Sequence, residues 1–144
     1  MLPVFNGQGY LPTGAHLATE EEVFTRFASS SARWQWLGER LREVLTTAKA
    51  TGKLQRLILW RSFVTAKPSP NDLDLFLILA DFDPAQAPEP VRLLFDYPQA
   101  RIRFHADVFW TTAAMPAETL ALRLDTYQIG KDFQRRGIVE VLVS

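Results

Sequence analysis

An α+β (α/β) domain, with a mixed sheet of about four or five strands flanked by helices, is the fold this sequence predicts. Three observations lead there. The chain has 144 residues, 47% of them apolar, which suits one domain around one core. Trp34, Leu37, Leu41, Val44, Leu45 and Ala48 recur at three- and four-residue steps, the stripe of an amphipathic helix. Leu73 to Leu79 is apolar on both faces, as a covered central strand must be.

The elements follow in order. Residues 1–18 are rich in Gly, Pro and Asn and read as an extended N-terminal arm of a single 1–144 domain. Thr19 with Glu22 three residues on is a capping-box start for a short helix carrying Val23, Phe24 and Phe27. Ser29 to Ser31 break it, and the second helix runs from about Ala32 to Ala50, with Gly52 as its stop. Leu54 to Trp60 is strand-like and Leu73 to Leu79 is its neighbour. Three prolines make Asp81 to Pro90 a loop, and Val91 to Phe95 is a short helix. Tyr97-Pro98 reads as a turn leading into a strand from Arg101 to Trp110. A short helix starts at Pro116 and ends near Arg123; Asp125 to Arg136 reads as loop; Gly137 to Val143 is a last β-rich run.

Composition narrows the function. Sixteen basic and sixteen acidic residues balance, so no field-driven grip on nucleic acid is implied. There is no cysteine, and the two histidines, His16 and His105, are too few for a multi-histidine zinc centre within one chain. No secretory signal or apolar span of membrane length is evident, so the expectation is a cytoplasmic protein without a membrane partner.

The chemistry concentrates in LQRLILWRSFVTAKPSPNDLDLFLILA, residues 54 to 80. An apolar strand ends in Arg61-Ser62, a polar loop follows, and the next strand opens with Asp72 and Asp74. Period-two spacing puts both carboxylates on one face, where they repel. A divalent cation relieves that repulsion, and Mg²⁺ with its preference for oxygen ligands and phosphate is the natural choice. Asp107, in RIRFHADVFW, is the third acid, expected to share a face with Arg103, His105 and Phe109 and to serve as metal ligand or general base. Ser62 and the amides after it could receive phosphate, and Lys67 could meet a triphosphate as a point charge. Plainer roles stand beside these: Asp72 closing the loop with Asn71, Asp107 pairing with Arg101 or Arg103, Lys67 solvated. Arg92, Lys131, Arg135 and Arg136 read as solvated surface.

Taken together, Ser62, the pair Asp72 and Asp74, and the later Asp107 resemble the signature of the nucleotidyltransferase superfamily, the polymerase-β-like fold. That signature is a glycine-serine pair, a loop, two aspartates one residue apart and a third acid on a later strand. Nine residues lie between Ser62 and Asp72, which fits the family spacing. The chain is also similar along most of its length to small bacterial members of that superfamily whose own function is unsettled. The likeness rests on Tyr10 to Gly14, Ser62 to Asp74, Asp107 to Trp110 and the terminus near Gly137. The resemblance implies Mg²⁺-dependent transfer of a nucleoside monophosphate from a nucleoside triphosphate, ATP first among candidates, to a protein or nucleic-acid hydroxyl. It implies a setting such as a toxin-antitoxin pair or phage defence, with a toxin as protein partner. Asp72, Asp74 and Asp107 would then be the metal and catalytic residues, and Ser62, Arg61 and Lys67 would face the nucleotide.

One position departs from the signature. Arg61 stands where the family has glycine. It could clamp the triphosphate, or pair with Asp72 or Asp74 in place of metal. The second expectation is therefore a catalytically silent module that binds a protein partner, through exposed aromatics among Phe5, Tyr10, Trp36 and Tyr127. A metal-dependent nuclease using the same acids is the third.

Overall fold

The computed structural model describes residues 2–28, 31–66, 70, 72–130 and 132–143. Among these the chain forms a mixed five-stranded sheet and five helices. The strands are β1 (Ala15–Ala18), β2 (Leu54–Trp60), β3 (Leu73–Leu79), β4 (Ala106–Thr112) and β5 (Ile138–Val141). The helices are α1 (Glu20–Phe27), α2 (Ala32–Lys49), α3 (Val91–Leu94), α4 (Tyr97–Phe104) and α5 (Ala117–Tyr127). The sheet order is β1-β5-β2-β3-β4. β2 and β3 are antiparallel, β3 and β4 parallel, so β4 is an edge strand.

The local signals explain most elements. Thr19 accepts from the Glu22 amide while the Glu22 carboxylate receives the Thr19 amide, closing both ends of the capping box that starts α1. Ser31 caps α2 by accepting from the Trp34 amide. The six stripe residues of α2 are all buried.

Alternation splits the sheet into two faces. Leu57, Leu59, Leu75, Leu77, Val108 and Val139 face the main core, where α1 to α4 supply Val23, Phe27, Leu37, Leu41, Leu94 and Phe104. The opposite face carries Ile58, Trp60, Phe76, Ile78 and Ile138 under a single helix, α5, which presents Leu120, Leu124 and Tyr127. One short helix cannot cover five strands, so this face is closed near β2 and open toward β4.

Three segments differ from the sequence expectation. The arm of residues 1–18 ends in a strand: Ala15–Ala18 pairs in parallel with β5, Ala15 opposite Ile138 and Ala18 opposite Val141. Four residues with a single buried apolar side chain, Ala18, leave too little pattern to read. Tyr97-Pro98 does not turn into a strand but starts α4, Pro98 taking a first-turn position where its missing N–H costs nothing. Ala100 and Phe104, four apart, are its buried residues, and the strand begins only at Ala106. His105 makes the junction at φ 55°, a left-handed helix cap. Last, α5 runs on to Tyr127, past Arg123, because Leu124 and Tyr127 continue its apolar side.

Gly137 is fixed by crowding. Its amide donates to the Leu11 carbonyl at 2.9 Å, and a Cβ there would collide with the Pro12 carbonyl and approach Leu11 Cβ at 2.8 Å. Backbone cannot yield as a flexible side chain can. Gly137→Ala is expected to lower unfolding free energy by about 2 kcal/mol, the range of core overpacking. Urea denaturation measures it, and an unchanged midpoint would contradict this account of the β1–β5 edge.

Candidate functional site

The register of three strands builds the site. Trp60 of β2 lies opposite Asp74 of β3, and Asp74 lies opposite Asp107 of β4. The two aspartates thus share one row on the α5 face, on strands about 4.8 Å apart. Both are buried, Asp74 at 4% and Asp107 at 8% exposure. Asp72, just ahead of β3, is partly exposed and close enough to act on Asp74 electrostatically.

Asp107 has two cationic or polar neighbours from α4. The Tyr97 hydroxyl donates to its Oδ1 at 3.2 Å, and Arg101 Nη1 lies 3.2 Å from the same oxygen. Tyr97 and Arg101 are one helical turn apart, so they face the strand together. The guanidinium of Arg101 is held charged by Tyr97 first, then by Asp107 and Asp72.

Asp74 is less well served. Its Oδ1 is buried with no hydrogen-bond partner. The nearest cation is Arg61 Nη1 at 3.6 Å, on a half-exposed side chain. Burial pushes the Asp74 carboxyl up to about 7; Arg61 opposes the rise, while Asp107 and Asp72 add to it.

Arg61 opens the single turn of 3₁₀ helix Arg61–Val64 that follows β2, with φ 64°. This left-handed conformation favours glycine and costs another residue about 1–2 kcal/mol. Arginine thus stands at a backbone position whose conformation suits glycine. Ser62 falls in the same turn. Lys67 and Asn71 lie outside the described residues, as does Lys131.

A cavity of about 240 Å³ opens beside the acids, lined by Asp72, Asp107, Arg33, Arg101, Trp36 and His105. Arg33 Nε donates to the Pro70 carbonyl at 2.9 Å, and its guanidinium lies 4.9 Å from the Trp36 ring centre. His105 meets Trp36 edge-on at 4.9 Å.

Several expected placements change. His105 and Arg103 do not share a strand face with Asp107: Arg103 is on α4 and pairs with Glu43 at 2.9 Å, and His105 caps the helix. Phe109 keeps its place on the Asp107 face, and Ala106, Val108 and Trp110 pack on the opposite one as expected. The four aromatics expected to be exposed are all partly covered. Phe5 packs on Phe27, Tyr10 lies under Arg136, Trp36 under Arg33, and Tyr127 stacks on Trp60 at 4.0 Å. The exposed rings are Tyr97, Phe109 and Phe133. Arg135 and Arg136 pair with Asp125 and Asp132, and Arg92 with Glu89. The plainer expectation that Asp107 pairs with Arg101 is met, from a helix and not from the same strand. Tyr97 is the contributor that sequence reasoning missed; the Asp96-Tyr97-Pro98 helix start was the available signal.

Divalent metal chemistry can be tested against this donor set. An orphaned carboxylate oxygen beside a second buried carboxylate suits an oxygen-seeking cation. Among the described residues, however, no three acidic or histidine side chains already stand grouped as metal ligands. Arg61 and Arg101 hold the counter-charge instead. Among the described residues, no helix is long and apolar enough to cross a membrane.

The profile of a family of unknown function (DUF6932) matches residues 3–142. No curated protein and no solved structure matches the chain.

The Asp74 environment predicts a pH signature. Its folded pKa of about 7 exceeds the ordinary 3.8, so between these values the folded state binds more protons than the unfolded state. Stability is then fully present below about pH 4 and lost as pH rises toward and through 7, by an amount on the order of 4 kcal/mol. Asp74→Asn should raise the melting temperature at pH 8 and leave it nearly unchanged at pH 3.5. Equal shifts at the two pH values in thermal melts would show that Asp74 is not held in this way.

Proposed function

The chain belongs to the DUF6932 family, and from that premise we propose that it is a nucleotidyltransferase-like domain that binds a Mg²⁺–nucleoside triphosphate at Asp72, Asp74 and Asp107. The observation that supports this most is the in-register pairing of Asp74 with Asp107, with Asp74 Oδ1 left unpartnered. A buried pair of carboxylates is costly in a core. It gains a purpose when a cation is shared between them. The turn Arg61–Val64 lies at the end of the strand beside them, where the superfamily signature has its phosphate-binding serine.

Bound there, Mg²⁺ would polarise the triphosphate and draw charge from the leaving pyrophosphate. The residues of the chain do the rest. Asp74 and Asp72 would hold the cation through their carboxylates, and only through it would they act on the phosphates. Asp107, oriented by Tyr97, accepts the proton of the acceptor hydroxyl. The hydroxyl oxygen bonds to the α-phosphorus, the bond to the β-phosphate oxygen breaks, and pyrophosphate leaves. Arg101 and Arg61, which now neutralise the acids, turn to the phosphates. The acceptor is a protein or nucleic-acid hydroxyl, with a partner toxin or a phage-defence target as the biological setting and the cytoplasm as the place.

A second reading rests on Arg61. Its guanidinium already lies against Asp74, which favours a catalytically silent module that binds a protein partner. Two measurements separate the readings. Titrating Mg²⁺–ATP by calorimetry should give binding that Asp72→Ala/Asp74→Ala abolishes while circular dichroism stays unchanged; unaltered affinity in that variant sinks the proposal. Arg61→Gly should tighten binding of Mn²⁺ alone about fivefold, the equivalent of one weak ion pair of about 1 kcal/mol. No metal binding in either protein supports the silent module.

A further inference from the structure

We propose that Phe109 and Tyr97 form the platform on which the base of a free nucleoside triphosphate stacks, a site that rests on the nucleotide-binding reading above. The argument begins with size. At about 240 Å³ the cavity beside the acids is smaller than the roughly 300–1,000 Å³ of pockets that enclose a whole organic ligand. Its lining brings Asp72, Asp107, Arg33 and Arg101 together beside Trp36 and His105, with Asp74 buried in the row behind Asp107. Such a space suits phosphates and cation, and the nucleoside must lie outside it.

Beside Asp107 the surface is aromatic. Phe109 is 39% exposed and Tyr97 41% exposed, the two rings 5.3 Å apart and inclined at 35°. Phe109 is two residues beyond Asp107 on the same strand face, about 6.8 Å along the strand, comparable to the ribose between a base and its α-phosphate. Tyr97 ties the platform to the acid directly, through its hydroxyl on Asp107. The platform is firm from behind: Phe109 lies 5.9 Å from Trp60, which stacks on Tyr127. It is open in front because β4 is the edge strand and α5 packs its apolar side over β2 and β3. Half-exposed rings beside buried acids are a poor solution for solubility and a good one for a flat, weakly polar ligand.

Three ligands and two variants test this. Inorganic triphosphate with Mg²⁺ probes the acids alone, adenosine without metal probes the rings alone, and Mg²⁺–ATP probes both. Phe109→Ala should weaken Mg²⁺–ATP roughly tenfold in calorimetry, as expected for one lost stacking contact. It should leave Mg²⁺–triphosphate unchanged, which also reports an intact fold, and Phe109→Trp should restore ATP affinity. Adenosine at millimolar concentration should shift the Phe109 and Tyr97 ring resonances in NMR spectra. If triphosphate binds while adenosine shifts nothing and Phe109→Ala binds ATP normally, the platform is overturned and the acid site stands. If adenosine shifts the rings and triphosphate does not bind, the platform stands and the metal reading falls. A concentration-dependent dimer lost in Phe109→Ala, with adenosine silent, would assign the rings to a second copy of this chain and overturn the proposal.

Discussion

Two negative groups sit in one row of a β-sheet, and their neighbours are arranged around that fact. Asp74 and Asp107 are brought together by register, not by loop geometry, so the backbone hydrogen bonds of β3 and β4 hold them in place. Separating them would mean slipping β4 along β3, which would turn its buried residues Ala106 and Val108 outward. The fold therefore cannot relax the repulsion by moving the acids. It must supply counter-charge, and it draws it from Arg101 on one side and Arg61 on the other. The two counter-ions are unequal. Asp107 receives a hydroxyl and a guanidinium at 3.2 Å, while Asp74 keeps an unpartnered oxygen. That imbalance makes a plain structural ion pair an incomplete account of the two acids.

Much of this was legible in the chain. The helices announced themselves through Thr19-Glu22 and the stripe from Trp34 to Ala48, and both are present. The strand from Leu73 to Leu79 was evident because a parallel neighbour and two covered faces leave no polar position along most of it. The relation of Asp74 to Asp107 followed from expecting their strands to be adjacent. What failed was the phase of one segment. Arg101 to Trp110 alternates polar and apolar residues closely enough to pass for a strand, yet its first four residues are helical. Tertiary burial of Ala100 and Phe104 at a spacing of four decides the conformation, and alternation alone does not contain that information. With the helix misread, Tyr97 was out of reach, while the pairing of Arg101 with Asp107 was foreseen without its helical setting. β1 was illegible for a different reason. A four-residue edge strand is specified by its partner β5, more than a hundred residues away, and hardly at all by itself.

The aromatic residues show the same limit. Spacing on a helical wheel set Trp36 off the buried stripe, but arginines from its own helix cover its ring. Phe109 looked like one residue in an apolar strand, and its exposure comes from the sheet order, which leaves β4 outermost. A sequence lists side chains; which of them meet water depends on how many helices fall on each side of the sheet.

The hinge at His105 has one more consequence. Tyr97, Arg101 and Asp107 lie within eleven consecutive residues, joined by a single left-handed cap. The acid, its counter-ion and its hydroxyl donor are thus short-range partners, six and ten residues apart. Arg61 and Asp74 meet across a longer loop. Asp107 therefore finds its counter-charge within its own helix-to-strand segment, whereas Asp74 receives its counter-charge from the end of the neighbouring strand β2.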